Sequence, residues 1–223
     1  MTSVSAEHYL KAIYELGREG QSVSLPALAA ELSISPVSAN EMVRNLARRG
    51  LVNYEPYRGV ALTSAGQTQA VTVTRRHRLW ERFLTDVLGL GWDQVPEEAC
   101  RLEHATSPLV EERLAQLLGQ PETCPHGHPV PTRGGEVAHK AGRPLSDLQP
   151  GQKGVVQIVP EEAELLQYLG DLGLVPPAEV QLEAVAPFEG PLTVRVEEKR
   201  HILGRKVASQ VRVIAPETGS PAR

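Results

Sequence analysis

The distribution of proline decides most of what this chain can fold into. Five prolines lie in residues 1–118 and thirteen in residues 119–223. A proline inside a helix removes a backbone donor and clashes with the preceding turn, so long helices are confined to the front half. There the apolar residues recur at helical spacing. Behind it they fall in short runs between turn residues, the pattern of short strands. Between the two, residues 120–144 hold five Pro and four Gly, show no hydrophobic period and read as a linker. A length of 223 residues fits two domains better than one. No apolar run approaches the ~20 residues that cross a bilayer. The start, MTSVSAEHYLKAIYEL, is amphipathic and acidic, unlike a secretory signal. With two cysteines only, Cys100 and Cys124, the expectation is a reduced, cytoplasmic protein.

Local signals place the elements. Ser5 stands where it would cap a first helix carrying Tyr9, Ala12, Ile13 and Leu16, closed by Gly17 and Gly20. A second helix covers 24–32. A third opens at Ser35-Pro36, a cap followed by proline in the first turn, and runs to Arg49. Two β pieces, 51–54 and 60–62, flank a hairpin at 55–59. Ser64-Ala-Gly-Gln67 has the form of a capping box opening a long helix to about Leu88. Helices are expected at 92–104 and 108–118. Strands are expected near 154–159, 179–185, 192–196, 201–204 and 210–214, with a helical piece near 161–170, together a small SH3-like barrel.

Residues 25–46 have the form of a helix-turn-helix. Ala29 is small where two helices must approach, Ile34 fills the turn, and Val37, Val43 and Leu46 supply the second helix's core face. Ser35, Ser38 and Asn40 suit base edges or phosphate, and Arg44, Arg48 and Arg49 suit the DNA backbone. The hairpin with Tyr54, Tyr57 and Arg58 reads as a wing, its Arg58 placed for a phosphate or a minor groove. One such module binds weakly, so a dimer on a palindromic operator is expected. The net charge of −4 argues against a nucleic-acid partner only on average. Residues 1–78 hold nine Lys/Arg against six Asp/Glu, and residues 79–223 hold fourteen against twenty-one.

A second constellation follows the wing. His77 and Glu81 are four apart and share a helix face. Cys100, Glu103 and His104 put a thiol, a carboxylate and an imidazole on one face of the next helix, with His8 a further nitrogen donor on the first. That mixture suits Fe(II), Mn(II), Co(II) or Zn(II). A catalytic Cys100–His104 pair is the competing enzyme reading, but no Gly-rich nucleophile turn accompanies it. Cys124, His126 and His128, with His139, invite a zinc site in the linker. Without a second cysteine pair, a plain Pro/Gly turn is the preferred reading.

Glu7–Leu16, the winged helix, Tyr57–Thr63, Arg76–Leu84 and Glu98–His104 together resemble the diphtheria toxin repressor and manganese transport regulator family over about residues 1–135. The rear resembles the SH3-like, FeoA-type domain of its longer members. The resemblance implies a mainly α N-terminal part with a C-terminal SH3-like (FeoA-type) small β-barrel. It implies a homodimeric, non-enzymatic DNA-binding regulator activated by Mn2+ or Fe2+, with Co2+, Zn2+ and Cd2+ as plausible substitutes, that represses metal-uptake genes. The domains would be a winged helix-turn-helix at 1–74, a helical metal-binding and dimerisation domain at 75–119, the linker at 120–144, the FeoA-type domain at 145–216 and a disordered tail at 217–223.

Carried onto this chain, the regulatory metal ligands are His8, Cys100, Glu103 and His104. The ancillary ligands are His77 and Glu81, completed by Glu162 with Glu164 close by. The DNA face is Ser35, Pro36, Val37, Ser38, Asn40, Glu41, Arg44 and Arg58. The chain departs from the family pattern at four places. His8 replaces a Met or Asp, Lys11 a carboxylate, Pro96 a His, and Leu165 an amide donor. The ancillary site is therefore open to rebuilding with Glu161, Glu164 or Glu98. Readings from other classes remain at this stage: a metal-independent winged-helix regulator with a small-molecule ligand, or an iron-transport accessory protein.

Overall fold

The structure, a computed structural model, describes residues 3–17, 21–137 and 142–216. Gly20, His139 and the tail 217–223 lie outside the described residues. The chain divides into two compact units. One comprises Met1–His77, Cys100–Arg113 and Pro131–Val137, the other Arg78–Ala99, Leu114–Val130 and Ala138–Arg223.

In the first unit, helices α1 (Val4–Leu16), α2 (Leu25–Glu31) and α3 (Pro36–Arg48) precede the hairpin β1 (Val52–Glu55) and β2 (Gly59–Leu62). Serine caps set two of these starts, that of α3 as expected. Ser24 Oγ accepts from Ala27 N at 3.3 Å and Ser35 Oγ from Ser38 N at 3.1 Å, each followed by proline in the first turn. The first cap differs from expectation. Ser3, in extended backbone, accepts from Ala6 N at 3.3 Å, which leaves Ser5 inside the first turn. The helix-turn-helix closes through Ile34 N on Ala29 O at 2.9 Å. Its core holds Leu10, Ile13, Leu28, Ala39, Val43, Leu46 and Val60. Each large aliphatic side chain so buried contributes about 1.5–3 kcal/mol. The wing pairs antiparallel from Val52↔Leu62 to Glu55↔Gly59, with a further bridge between Val23 and Val60.

Helices α4 (Ser64–Asp86), α5 (Val95–Glu103) and α6 (Pro108–Leu117) follow. The cap of α4 is Thr63, whose Oγ1 accepts from Gly66 N at 3.1 Å, one residue before the expected Ser64. Helix α5 starts three residues late because Gln94 N bonds back to Gly91 O at 2.9 Å and makes a turn of that stretch. In the second unit Leu79, Leu114, Ala115 and Val130 form a small core with Trp80, Phe83 and Leu118 packed on it. Val87, Leu88, Leu109 and Leu117 are more than half exposed.

The stretch beyond α6 is not the structureless linker its composition suggests. Val130 N bonds Glu122 O at 2.8 Å, Cys124 N bonds His128 O at 2.9 Å, and Gly127 N bonds Cys124 O at 3.0 Å. Cys124 and His126 are buried. Gly127 has φ +86°, and a Cβ there would stand 1.6 Å from Gln157 O.

The C-terminal sheet is wholly antiparallel in the order β3-β8-β4-β5-β6-β7. Its strands are β3 (Arg143–Pro144), β4 (Lys153–Ile158), β5 (Glu179–Val185), β6 (Leu192–Val196), β7 (Lys199–Leu203) and β8 (Arg212–Ile214). Strand β6 alternates as half-buried strands do: Leu192, Val194 and Val196 point inward, Thr193 and Arg195 outward. Helix α7 (Ala163–Asp171) adds Leu166 and Leu169 to the same core, and the short α8 (Arg205–Ala208) precedes β8. Among the described residues no helix is long and apolar enough to cross a membrane.

Candidate metal centres and nucleic-acid interface

The i, i+3, i+4 spacing on α5 puts Cys100, Glu103 and His104 on one side of its last turn, and His8 of α1 meets them. Candidate ligand atoms of these four residues all lie within 4.8 Å of one another. His8 Nε2 is 3.4 Å from Cys100 Sγ and 2.6 Å from His104 Nε2. Two imidazole nitrogens that close need a shared proton or a cation between them. The other face of His104 is fixed, because its Nδ1–H donates to Glu7 Oε2 at 2.6 Å. That bond sets the tautomer and leaves Nε2 as the ligand atom. Glu7 was not foreseen; an acid one residue before a ligand on the same helix is the only signal for it.

Glu103 is fully buried and works on two sides. Its Oε2 accepts from His77 Nδ1 at 2.5 Å and from Lys11 Nζ at 3.3 Å. Its Oε1, 3.2 Å from His104 Nε2, takes part in no hydrogen bond among the described residues. A buried carboxylate oxygen without a donor is costly, and a cation satisfies it. Burial pushes Glu103 up, but the His77 hydrogen bond and the Lys11 charge outweigh burial and hold its carboxyl below the usual range. Burial, and next the neighbouring His104, lower His8 below the ordinary imidazole value, so it favours its neutral, ligating form. The group opens onto a cavity of about 500 Å³ lined by Val4, His8, Cys100, Arg101, His104 and Ala105.

The second cluster differs from the set read from sequence, which joined His77 and Glu81 to Glu162 and Glu164 and offered Glu161, Glu164 or Glu98 for a rebuilt site. His77 Nδ1 lies 2.5 Å from Glu103 Oε2, while Glu81 gathers with Cys124, His126 and Glu161 within 4.8 Å. Glu162 is the extended residue preceding α7, and it and Glu164 are exposed. The neighbouring Glu161 is the carboxylate that faces inward. Cys124 and His126, set aside as a plain turn, are brought in by the Gly127 turn, because Val159 N also bonds His126 O at 3.0 Å.

His126 is held like a ligand. Its Nε2–H donates to Trp92 O at 2.7 Å, leaving Nδ1 3.1 Å from Glu81 Oε1 and 3.9 Å from Cys124 Sγ. His128 borders the group: its Nε2 donates to Val159 O at 3.0 Å and lies 3.5 Å from Glu161 Oε1. Burial opposes the charged form of His126, yet the Glu81 hydrogen bond and charge raise its pKa. Two imidazole-and-thiol groups with carboxylates fit a divalent transition metal by donor chemistry.

Burial, and then the charges of Glu81 and Glu161, push the Cys124 thiol well above its ordinary value. The unfolded thiol therefore loses its proton at a pH where the folded one keeps it, so the folded state binds more protons there. In chelator, stability should fall as pH rises through about 8.5, the ordinary thiol pKa. Melting curves of wild type and Cys124→Ala across that range check this. A wild-type slope no steeper than the variant's would contradict it. A divalent ion at the cluster should flatten the wild-type slope, because it binds the thiolate.

On the nucleic-acid side, Ser35, Pro36, Val37, Ser38, Glu41 and Arg44 are exposed on α3, and Asn40 is half-buried. Arg58 at the wing tip is exposed and pairs with Glu55 at 3.0 Å. Tyr57 beside it is fully exposed.

Comparison with known proteins places these sites in a family. A family model described as the iron dependent repressor N-terminal DNA binding domain matches residues 1–60. The iron dependent repressor metal binding and dimerisation domain matches 63–132, and the FeoA domain matches 143–215. The iron-dependent repressor IdeR of Mycobacterium tuberculosis (strain ATCC 25618 / H37Rv) is 34% identical over 224 residues, 94% of this chain and 96% of that protein. The chain belongs to the iron-dependent repressor family. Within it, the diphtheria toxin repressor of Corynebacterium jeikeium (strain K411) is 33% identical over 230 residues, covering 96% of this chain and 87% of its own. A solved manganese-dependent transcriptional repressor in complex with manganese superposes with a TM-score of 0.87 at 33% identity, over 95% of this chain and all of that one. ScaR with bound Cd2+ gives 0.82 at 30%, over 95% and 99%. The family resemblance read from the motifs is thereby established for this iron-dependent repressor homologue.

Proposed function

We propose that this chain is a divalent-metal-activated transcriptional repressor, cytoplasmic and homodimeric, that binds a palindromic operator controlling metal-uptake genes, with Mn(II) or Fe(II) as effector. One observation carries the reading. His8, on the helix that packs against the helix-turn-helix, lies within ligand distance of Cys100 and His104 on α5. Residues 1–74 are the DNA-binding domain in this reading, 75–119 the metal-binding and dimerisation domain, and 145–216 the FeoA domain. Cys100 is a ligand rather than a nucleophile.

A bound divalent cation supplies the positive charge that stabilises a thiolate, a carboxylate and two imidazoles in one place. The rest is done by the chain. His8 ties α1 to α5, and Tyr9, the next residue, reaches α3 through its hydroxyl, 3.4 Å from Ser38 O. Fixing α1 therefore fixes the helix that enters the groove. In a dimer this selects the spacing of two recognition helices that matches successive major grooves. The exposed Val87, Leu88, Leu109 and Leu117 supply apolar surface for a second copy.

The reading is tested by DNA affinity, followed by fluorescence anisotropy on genomic fragments with Mn(II), Fe(II), Zn(II) or chelator. Binding that does not respond to any of these ions rejects it. Arg58→Ala should weaken binding about equally on all sequences and lower the salt slope by about 1, as expected for a lost phosphate contact. A loss confined to one operator sequence would assign Arg58 to base recognition instead.

A further inference from the structure

We propose that the recognition helix reads base edges through Val37 and Glu41, which take a thymine methyl group and a cytosine amino group one or two base pairs apart in each half-site. The inference rests on the reading of α3 as the helix that enters the major groove.

The argument is one of elimination. Ser35, Ser38 and Asn40 are the residues whose chemistry most suits base edges, and the structure engages all three. Ser35 Oγ accepts from Ser38 N at 3.1 Å and lies 2.9 Å from Ser38 Oγ, so the two hydroxyls serve the cap and each other. Asn40 is half-buried, and its Oδ1 accepts from Tyr54 OH at 3.1 Å. That bond and the partial burial tie the Asn40 amide to Tyr54 of the wing, so it is less free to reach into the groove than the exposed side chains beside it. Arg44 and Arg48 lie further along the helix, where exposed guanidinium groups suit phosphates.

Val37 and Glu41 remain on the first two turns, four residues apart and so neighbours on one face. Val37 is 69% exposed and presents a branched apolar side chain on the face that would meet the groove. In the major groove the apolar group is the thymine methyl. Glu41 is the single acid of α3. It is exposed and makes no hydrogen bond or ion pair among the described residues.

A carboxylate carried toward a polyanion is repelled unless it reaches a donor. It is an acceptor only, so guanine N7 and O6 and thymine O4 all repel it. Adenine N6 donates, but the N7 acceptor beside it opposes a second acceptor. Adenine N6 lies between two acceptors, its own N7 and thymine O4, whereas cytosine N4 has an acceptor, guanine O6, on one side only. Glu41 therefore selects cytosine.

The test is selection from a pool of randomised duplexes by the full-length protein with Mn(II). Wild type should enrich half-sites with a fixed cytosine near a fixed thymine. Glu41→Gln should lose the cytosine preference by fivefold or more and shift that position toward adenine, which glutamine can pair through N6 and N7. Replacing the selected thymine by deoxyuridine should weaken wild type but not Val37→Ala. A Glu41→Gln profile identical to wild type overturns the inference while leaving α3 as the recognition helix. So does a deoxyuridine penalty equal for wild type and Val37→Ala. Failure of wild type to enrich any sequence with metal overturns both the inference and the reading beneath it.

Discussion

His104→Ala is expected to abolish the metal response of DNA binding while the protein stays folded. The side chain is the one member of the first cluster that touches ligands on both helices: His8 at 2.6 Å on α1 and Glu103 at 3.2 Å on α5. It is also anchored from behind by Glu7. Removing it deletes one donor and frees the carboxylate that aimed it. The metal-dependent gain in DNA affinity, typically 5–150-fold for couplings of about 1–3 kcal/mol, should vanish. Anisotropy titrations with Mn(II) and with chelator should then coincide. A variant that still binds DNA more tightly with metal would remove His104 from the regulatory ligands. Glu103 is the less clean probe. Its carboxylate also receives Lys11 and His77, and deleting one partner of a buried pair costs on the order of 3–5 kcal/mol in stability by itself. Glu103→Gln keeps the volume and is the better companion to His104→Ala.

The second large effect is expected from a residue with no ligand atom. Gly127→Ala should dismantle the second cluster while sparing the first. The backbone there is left-handed at φ +86°, and the added Cβ would stand 1.6 Å from Gln157 O. A main-chain oxygen cannot rotate away as a side chain would. Strain and displacement together should cost on the order of 3 kcal/mol, and the turn presenting Cys124 and His126 should shift. The expected signature is loss of one Co(II) equivalent and of its thiolate charge-transfer absorption, with a lower Tm. The metal response that depends on His104 should persist. Retention of full cobalt binding would show that the turn does not assemble this cluster.

What was legible beforehand follows from how far each signal reaches along the chain. The cap of α3 is local: a serine, a proline and the next amide sit within four residues, and Ser35 is the cap expected. The Cys100–Glu103–His104 face is equally local, since one helical turn brings it together. His8 could be named as a further donor from sequence, but its place among these ligands rested on the family likeness, because its approach to α5 is tertiary. The second cluster, of which Glu81 and Glu161 were named from sequence, was legible only in part for two physical reasons. Proline and glycine mark turns, and a turn rich in them can be pinned, as Gly127 is against β4, rather than loose. Which glutamate before α7 faces inward also depends on where the helix starts. One residue separates the buried-side Glu161 from the exposed Glu162. His77 and Glu81 lie one turn apart on α4, about 6 Å along the helix, where His77 Nδ1 meets Glu103 and Glu81 meets His126.

Lys11 carries a last consequence. Its ammonium already leans on the oxygen of Glu103 opposite the other ligands, so the first centre begins with part of its negative charge spoken for. Every arriving dication feels that resident cation at short range, and repulsion lowers affinity for all ions alike. Ions that bond covalently to sulfur and nitrogen lose least in relative terms, because carboxylate attraction is the smaller share of their binding. A centre built this way offers an arriving dication less net negative charge than its ligand set alone would suggest.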